Sequence, residues 1–303
     1  GPAGPDPDWQ KIACALAARS ALTVITGGPG TGKTTTVVKL LGLMQSAALE
    51  NDRPLRIKLA APTGKAAARL SESIGEAVAN LDVDEQVRAQ IPAQPTTLHK
   101  LLGRRPDSRH FRHDKHNPLH ADLVVVDEAS MIDLEMMASL LQALRPETRL
   151  VLLGDKDQLA SVEAGAVMGD LCHEADQGLY QPDTIEWVRT HTGEDLQAWQ
   201  GEGGELAQQT TMLRFSHRFG EASGIGALAR AVNDGDADQA ERIWQAGYPD
   251  LNRPEPNKLH NAQLEELCVS GYTPYLNTIG QERPATAEPN AIDDWARAVL
   301  RAF

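Results

Sequence analysis

The sequence predicts an α/β fold in which a parallel β-sheet is flanked by helices. Four short runs of aliphatic and β-branched residues lie between positions 22 and 153, and none of them alternates with polar residues. Such mainly apolar runs without alternation are typical of parallel strands buried on both faces. Helical patterns lie between or after the runs, and a glycine-rich segment joins the first run to the first helical pattern. Strands that alternate with helices indicate a parallel sheet.

The predicted elements follow one another in a regular order. The predicted strands are residues 22–26, 57–61, 123–126 and 150–153, and the predicted helices are residues 34–48, 65–79 and 134–144. Further along, an apolar run at 211–215 precedes a stretch that looks helical, with a weak helix near 262–269. Apolar residues recur at helical spacing in 290–303 and predict an amphipathic helix there.

Length and composition divide the chain into parts. At about 150 residues per domain, 303 residues suggest two domains. We expect a tail or cloning remnant at 1–8, a first α/β domain at 9–175, an acidic linker containing glycines at 176–209, and part of a second domain at 210–303. Because the last helical pattern ends without Gly or Pro, we expect the chain to be a fragment of a longer protein.

The composition excludes several classes of protein. Hydrophobic residues make up 41% of the chain and charged residues 23%, as in ordinary globular proteins. No apolar run approaches the roughly 20 residues of a membrane span, and no signal peptide opens the chain. Three widely spaced cysteines argue against a disulfide scaffold or a zinc site and indicate a cytoplasmic protein.

The charge is distributed unevenly along the chain. The net charge is −13, but residues 1–170 hold 19 basic against 21 acidic side chains, while residues 171–303 hold 10 against 21. A surface that binds nucleic acid is therefore compatible with the first part. The acidity of the second part indicates only a solvated surface.

The glycine-rich segment carries the most specific motif. Gly27, Gly28, Pro29, Gly30, Thr31, Gly32, Lys33 and Thr34 match the pattern GxxxxGK[ST]. Backbone N–H groups of such a loop can surround phosphate oxygens, and the following helix adds its dipole. We expect Lys33 to reach the β- and γ-phosphates of a nucleoside triphosphate, Thr34 to bind Mg²⁺, and Thr35 to belong to the same nucleotide site.

An acidic pair follows the third predicted strand. Asp127 and Glu128 come directly after three valines. Alone, such a pair is usually a solvated turn. With a phosphate loop upstream, it predicts a second Mg²⁺ contact at Asp127 and a residue that polarises the attacking water at Glu128. The predicted reaction is hydrolysis of a nucleoside triphosphate.

Four further segments extend the pattern. These are residues 59–70, 96–103, 153–162 and 213–220. Together with Asp127–Met131, these segments resemble the motifs of the superfamily-one DNA helicases in their order and in their residues. The resemblance is closest to the RecD family, the α subunits of exodeoxyribonuclease V. The resemblance runs from about residue 9 to residue 172 and resumes at 213. It implies a RecA-like motor domain that binds ATP and Mg²⁺, followed by part of a second motor domain.

The resemblance implies DNA contacts at two strand ends. The residues concerned are Pro62, Thr63, Lys65, Thr97 and His99. Hydroxyl, backbone and ammonium groups there can hold the phosphates of a DNA strand. From the residues alone, helix capping by the two threonines and ordinary packing of the histidine remain open.

Three more residues acquire roles by resemblance. Gln158 corresponds to a γ-phosphate sensor that couples the ATP state to the grip on DNA; the alternative is a glutamine on a surface turn. Arg218 corresponds to an arginine that reaches the γ-phosphate from the second domain; the alternative is a surface salt bridge. Gln10 resembles a glutamine that reads adenine; the alternative is an exposed side chain.

A basic segment at about 104–120 interrupts the first domain. It contains four arginines, one lysine and four histidines, His110, His113, His116 and His120. A metal site is one interpretation, but no carboxylate or cysteine framework supports it, and a basic loop is favoured. In related helicases a small hairpin at this place helps to split the duplex.

The resemblance implies an ATP-dependent DNA helicase subunit that moves 5′ to 3′ and acts in double-strand-break repair and recombination. The expected partners are single-stranded and duplex-end DNA and RecB-like and RecC-like subunits. A stand-alone or relaxase-fused helicase, and a nucleotide-binding scaffold without turnover, remain alternatives. The later motifs of the family are not found in residues 220–303, so little helicase activity is expected from this chain alone.

Overall fold

The computed structural model describes residues 6–105, 108, 110–158, 167–217, 223–251, 262–281, 284 and 289–302. The chain divides into two compact units, Gly1–Gly220 and Glu221–Phe303. The described part of the first unit holds a β-sheet with helices, and the described part of the second unit is helical.

The sheet of the first unit has six parallel strands. They are β1 (Leu22–Thr26), β2 (Ile57–Ala61), β3 (Thr96–Thr97), β4 (Leu123–Val126), β5 (Arg149–Gly154) and β6 (Thr210–Met212). Their order is β3-β2-β4-β5-β1-β6. The four strands predicted from apolar runs are confirmed, as is the predicted fold class, an α/β parallel sheet with flanking helices.

Helices connect and cover the strands. Those of the first unit are α1 (Trp9–Arg19), α2 (Lys33–Leu49), α3 (Gly64–Ala79), α4 (Glu85–Ala89), α5 (Leu98–Leu102), α6 (Leu134–Ala143), α7 (Val167–Leu171) and α8 (Pro182–Thr192). Local sequence explains where several of them begin. Asp8, Thr63 and Asp133 accept hydrogen bonds from backbone N–H groups in the first turns of α1, α3 and α6, which the backbone itself leaves unpaired there.

Apolar side chains pack on both faces of the sheet. Ile25 and Leu153 belong to one buried cluster, while their neighbours Val24 and Leu152 belong to another. Because successive side chains point to opposite faces, a strand covered on both sides is apolar at most positions. This packing holds the carboxyl ends of β1, β5 and β4 side by side, with β5 in the middle.

The linker predicted at 176–209 is wrong, because this segment folds onto the first unit. Helix α8 packs along α1, and Nε1 of Trp187 donates a 3.0 Å hydrogen bond to the carbonyl of Ala15. Val188 and Leu196 are fully buried in the main core cluster. Most of the acidic side chains that suggested a linker are exposed, as at Glu202, so they say nothing about the inner face of the segment.

The boundary predicted at residue 210 is also wrong. Strand β6 pairs in parallel with β1, with Thr211 opposite Ile25, and so belongs to the sheet of the first unit. The two units divide at Gly220 and Glu221 instead. A three-residue strand containing two threonines has too little apolar pattern to reveal which sheet it joins.

The second unit contains four helices in its described part. They are α9 (Gly224–Asn233), α10 (Ala237–Gln245), α11 (Ala262–Gln281) and α12 (Pro289–Ala302). Ser223 caps α9, and Asp250 accepts bonds from the Ser223 hydroxyl and the backbone N–H of Gly224. The helices predicted near 262–269 and at 290–303 are confirmed, although α11 is longer than expected. No helix in the described ranges is long and apolar enough to cross a membrane.

Candidate active site

The glycine-rich loop joins β1 to α2. Gly30 and Gly32 have φ angles of 75° and 84°, a backbone region that strains residues with a Cβ atom. Gly32 is the N-cap of α2, and no side chain caps that helix. The N–H groups of its first turn are therefore available to an anion, as a phosphate-binding loop requires.

Lys33 lies inside the curve of this loop. Its ammonium group donates hydrogen bonds to the carbonyls of Gly27 and Gly28, the latter at 3.2 Å. The hydroxyl of Thr31 also donates to the carbonyl of Gly28, at 2.9 Å. The loop thus holds the lysine charge where the carbonyls and the helix N-terminus converge.

The threonines after Lys33 differ in their surroundings. Thr34 is half-buried, whereas Thr35 is exposed on the first turn of α2. Thr36, which the sequence analysis did not single out, is fully buried and donates to the carbonyl of Gly32 at 2.8 Å. The nucleotide and metal contacts of Thr34 and Thr35 stay predictions, while Thr36 closes the loop onto the helix.

The acidic pair lies at the carboxyl end of β4, one strand away from the loop. Oδ1 of Asp127 accepts a 2.9 Å hydrogen bond from the backbone N–H of Glu128. Burial raises the pKa of Asp127 above its ordinary value, and the Glu128 carboxylate acts in the same direction. The positive charges of Lys33 and Arg69 act against this rise, so both cations lie near enough to influence the carboxyl group.

Glu128 has an unusual backbone conformation. Its φ angle is 52°, in the left-handed region that non-glycine residues rarely adopt, at a cost of about 1–3 kcal/mol. The residue turns the chain from β4 into a 3₁₀ turn, Ala129–Met131. Strain of this kind is concentrated at functional sites, which agrees with the role predicted for Glu128.

The donor set here fits a hard divalent cation. A carboxylate at Asp127 and a hydroxyl at Thr34 are the oxygen ligands that Mg²⁺ prefers, together with water and phosphate oxygens. Only one oxygen of Asp127 is hydrogen-bonded within the described chain, so the other oxygen can serve as a ligand. These two residues would hold the metal, and the loop around Lys33 would hold a triphosphate.

Gln158 follows β5 and is exposed. Its Oε1 accepts a 2.8 Å hydrogen bond from the hydroxyl of Ser130, which lies in the turn after Glu128 and is 6% exposed. The sequence analysis quoted Ser130 within a motif but assigned it no role. No sequence signal distinguishes a serine that binds a side chain 28 positions away.

Gln10 lies beside the phosphate loop. Its amide nitrogen is so close to Gly32 that a Cβ atom there would collide with it, and its Oε1 accepts a 3.3 Å bond from the ammonium of Lys39. Next to it is a cavity of about 400 Å³, lined by residues 6–10, Thr31 and part of 213–217. The predicted base-reading residue is therefore part of the lining of a pocket beside the loop.

The segment 213–217 covers the other side of this cavity and is bonded to the loop. The hydroxyl of Ser216 donates a 3.0 Å hydrogen bond to the carbonyl of Pro29. The backbone N–H of His217 donates a 2.8 Å hydrogen bond to the carbonyl of Gly30. The Arg214 guanidinium lies 4.7 Å from the centre of the Trp9 ring. Arg218, the predicted arginine for the γ-phosphate, lies outside the described residues.

The residues predicted to contact DNA meet at one edge of the sheet. Strand β2 pairs with β3, with Ala61 opposite Thr97, so the segments that follow the two strands are neighbours. The hydroxyls of Thr63 and Thr97 cap α3 and α5, as the alternative interpretation held. Three more of these residues complete the group: Pro62 is half-buried, and Lys65 and His99 are exposed.

The basic insertion turns back on itself. Arg104 and Phe111 form an antiparallel bridge, as do Asp114 and Asn117, and the Phe111 ring packs edge-on against His99, with centroids 5.9 Å apart. The insertion therefore contacts the predicted DNA edge directly. Within the described ranges, no cluster of three or more His, Cys, Asp or Glu side chains could hold a metal ion.

Comparison with known proteins agrees with this geometry. A family model described as an AAA domain matches residues 10–164, about half of the chain. The RecBCD enzyme subunit RecD of Haemophilus influenzae is 42% identical over 294 residues, which are 94% of this chain and 44% of that protein. The RecD subunit of Mycolicibacterium smegmatis is 43% identical over 307 residues, 96% of this chain and 50% of that protein.

A shorter match extends to another helicase. The ATP-dependent RecD2 DNA helicase of Deinococcus radiodurans is 42% identical over 144 residues, 48% of this chain and 17% of that protein. The chain spans about half the length of the RecD relatives it matches, and the predicted resemblance to RecD is confirmed. The chain therefore belongs to the AAA domain family and is, within it, a relative of the RecD subunits of RecBCD enzymes.

Proposed function

We propose that the chain is the ATP-hydrolysing motor part of a RecD-like subunit. In its complete form this subunit would move 5′ to 3′ on DNA within a RecBCD-type exodeoxyribonuclease V complex, in double-strand-break repair and recombination. Its partners would be single-stranded and duplex-end DNA and RecB-like and RecC-like subunits. Such a complex works in the cytoplasm, with which the three free cysteines agree.

The observation that carries this proposal is the convergence of four groups at the carboxyl ends of adjacent strands. Lys33 follows β1, Asp127 and Glu128 follow β4, and Gln158 follows β5, the strand between them. Ligands of open α/β sheets bind at this edge. The arrangement supports ATP as the nucleotide and Mg²⁺ as the metal, with Thr34 and Asp127 as its ligands.

Each group has a defined task in this proposal. Lys33 and the loop N–H groups would neutralise the phosphates, and Thr34 and Asp127 would hold Mg²⁺, which would supply further positive charge at this site. Glu128 orients and polarises water, and Gln158 senses the γ-phosphate. Arg218 would supply positive charge to the transition state.

DNA would bind at the edge formed by the ends of β2 and β3. The cationic Lys65 and the imidazole of His99 are exposed there, and the basic insertion lies against His99. The hydroxyls of Thr63 and Thr97 accept hydrogen bonds from backbone N–H groups of α3 and α5 and would donate their own hydrogen to a phosphate oxygen. Residues 221–303 would be part of a second motor domain.

A second candidate is a stand-alone helicase. The match to RecD2 favours it: over 144 residues the identity is 42%, the same value as for the Haemophilus influenzae RecD subunit over 294 residues. The two candidates differ in their dependence on partners: a RecD-like subunit would need RecB-like and RecC-like proteins for full activity, whereas a stand-alone or relaxase-fused enzyme would not.

The test is DNA-stimulated ATP turnover by the full-length protein, with and without the partner subunits. Lys33→Ala removes the charge that holds the phosphates and should abolish turnover while leaving thermal unfolding unchanged. Lys58→Ala, an exposed lysine in β2, is the matched control and should hydrolyse ATP. ATP binding without turnover in the wild type would favour the scaffold alternative, and full turnover in Lys33→Ala would overturn the site.

A further inference from the structure

The side-chain amide of Gln158 has two chemically different ends. Its carbonyl oxygen can only accept hydrogen bonds and its amino group can only donate them. A phosphate oxygen can only accept. A glutamine that senses the γ-phosphate must therefore present its amino group, and an amide rotated by half a turn would present an oxygen to an anion.

In the structure, one end of this amide is already engaged. Oε1 of Gln158 accepts a 2.8 Å hydrogen bond from the hydroxyl of Ser130. The amino group of Gln158 has no partner among the described residues. A hydroxyl that donates to the oxygen end thus leaves the donating end of the amide free.

Ser130 is itself held firmly. It is only 6% exposed, in the 3₁₀ turn that starts from the strained backbone of Glu128. Its backbone nitrogen packs against the end of β5, where a Cβ atom added to Gly154 would lie 3.1 Å away. The position of the hydroxyl is therefore set by both β4 and β5. In the chain, Ser130 follows two residues after Glu128, whose carboxylate is predicted to polarise water.

We propose that Ser130 is a positioning residue that fixes the orientation of the Gln158 amide through its hydroxyl, so that the amino group faces the γ-phosphate. Loss of the hydroxyl frees the amide to rotate, and Gln158 then presents the correct end only part of the time. Ser130 acts through Gln158 and does not contact the nucleotide. This inference rests on the proposed ATP hydrolysis.

The experiment compares Ser130→Ala, Gln158→Ala and the double variant in the full-length protein, by kcat and KM for DNA-stimulated ATP turnover. Ser130→Ala should lower kcat about two- to tenfold, the range of one hydrogen bond, with KM nearly unchanged. The double variant should be no slower than Gln158→Ala alone, because Ser130 then has nothing to position. Ser139→Ala, a half-buried serine in α6, is the control and should keep the wild-type kcat.

Two further variants separate orientation from folding. Ser130→Thr keeps a hydroxyl and should retain more activity than Ser130→Ala at equal thermal stability. Gln158→Glu keeps an acceptor for Ser130 but has no donor for phosphate, and should lose at least as much kcat as Gln158→Ala.

The outcomes distinguish the two proposals. If the wild type hydrolyses ATP and Ser130→Ala keeps its full kcat, the positioning role is overturned while the proposed function stands. Losses that multiply in the double variant also overturn it, since two independent residues behave in that way. If the wild type hydrolyses no ATP with DNA and its partners present, the proposed function fails and the role of Ser130 falls with it.

Discussion

At the scale of single residues, the strained backbone of Glu128 and the proposed catalytic role of its side chain can be tested separately. The left-handed φ angle of 52° belongs to the main chain, whereas polarising water needs a carboxylate. Glu128→Gln keeps the size of the side chain and the backbone cost while removing the base. It should preserve nucleotide and Mg²⁺ binding and slow ATP hydrolysis by about 10²–10⁴-fold.

Single-turnover hydrolysis and equilibrium binding measured on the same sample check this prediction. Glu135→Gln, an exposed glutamate at the start of α6, is the matched control and should behave as the wild type. Simultaneous loss of binding and hydrolysis in Glu128→Gln would make Glu128 a structural residue.

A second residue-scale prediction concerns stability and pH. Arg56 and Asp122 join the starts of β2 and β4, with two side-chain bonds of 2.8 and 2.9 Å and a third from the Arg56 backbone. The guanidinium lowers the pKa of Asp122 from 3.8 to about 2. A carboxyl group whose pKa is lowered by folding stabilises the protein fully at pH values above its unfolded-state pKa. This stability is lost as the pH falls from the unfolded-state pKa to the folded-state pKa.

Asp122→Asn should therefore lower the free energy of unfolding at pH 7 by about 0.5–1 kcal/mol, a value reduced for the solvent exposure of the pair. The difference from the wild type should shrink between about pH 4 and about pH 2. Urea unfolding across this range measures it, with Glu72→Gln on the exposed face of α3 as the control. A difference that stays constant down to pH 2 would mean that the ion pair contributes nothing.

At the scale of elements, the segment around α8 is a structural part of the nucleotide-binding unit. Leu196 is fully buried in the core cluster that also contains Trp9, and Trp9 packs edge-on against Trp199 at 5.0 Å. Leu196→Ala should destabilise the first unit by about 2–5 kcal/mol, the usual result of truncating a buried leucine. Leu141→Ala, at a position 51% exposed on α6, should change stability by less than about 0.5 kcal/mol.

Denaturant unfolding followed by tryptophan fluorescence reports this directly, since Trp9 and Trp199 lie in the affected region. A linker of the kind predicted from composition would show no loss of stability in Leu196→Ala. An unchanged unfolding midpoint would therefore restore the linker interpretation.

At the scale of the whole molecule, the proposed motor has to connect the nucleotide site to the DNA edge. Gln158 follows β5, and the residues proposed to contact DNA follow β2 and β3 in the same sheet. Coupling is a free energy between two sites and is therefore reciprocal. Gln158→Ala in the full-length protein should leave ATP affinity nearly unchanged, because Lys33 and the loop supply most of it, and should reduce unwinding more than ATP turnover.

Paired titrations of ATP, with and without single-stranded DNA, test the coupling. In Gln158→Ala the difference between the two affinities should shrink, and the effect of ATP on DNA affinity should shrink equally. A variant that retains the full wild-type difference would show that Gln158 is an ordinary surface residue.

The sequence by itself determined the main architecture and the nucleotide-binding motif. The strands at 22–26 and 123–126 were recognisable because a strand buried on both faces consists almost entirely of aliphatic and β-branched residues. The phosphate loop was recognisable because its glycines, Lys33 and Thr34 act within one continuous segment. Local information is sufficient wherever the residues that determine a feature are neighbours in the chain.

Only the tertiary structure decided which distant segments belong together. Strand β6 joins β1 across almost 200 residues, the α8 segment packs on α1, and Ser130 meets Gln158 between two different strands. None of these contacts leaves a periodic trace in the sequence, because three strand residues or one serine are too short to form a pattern. Their partners are chosen by the packing of the whole sheet, which appears only when the chain is folded.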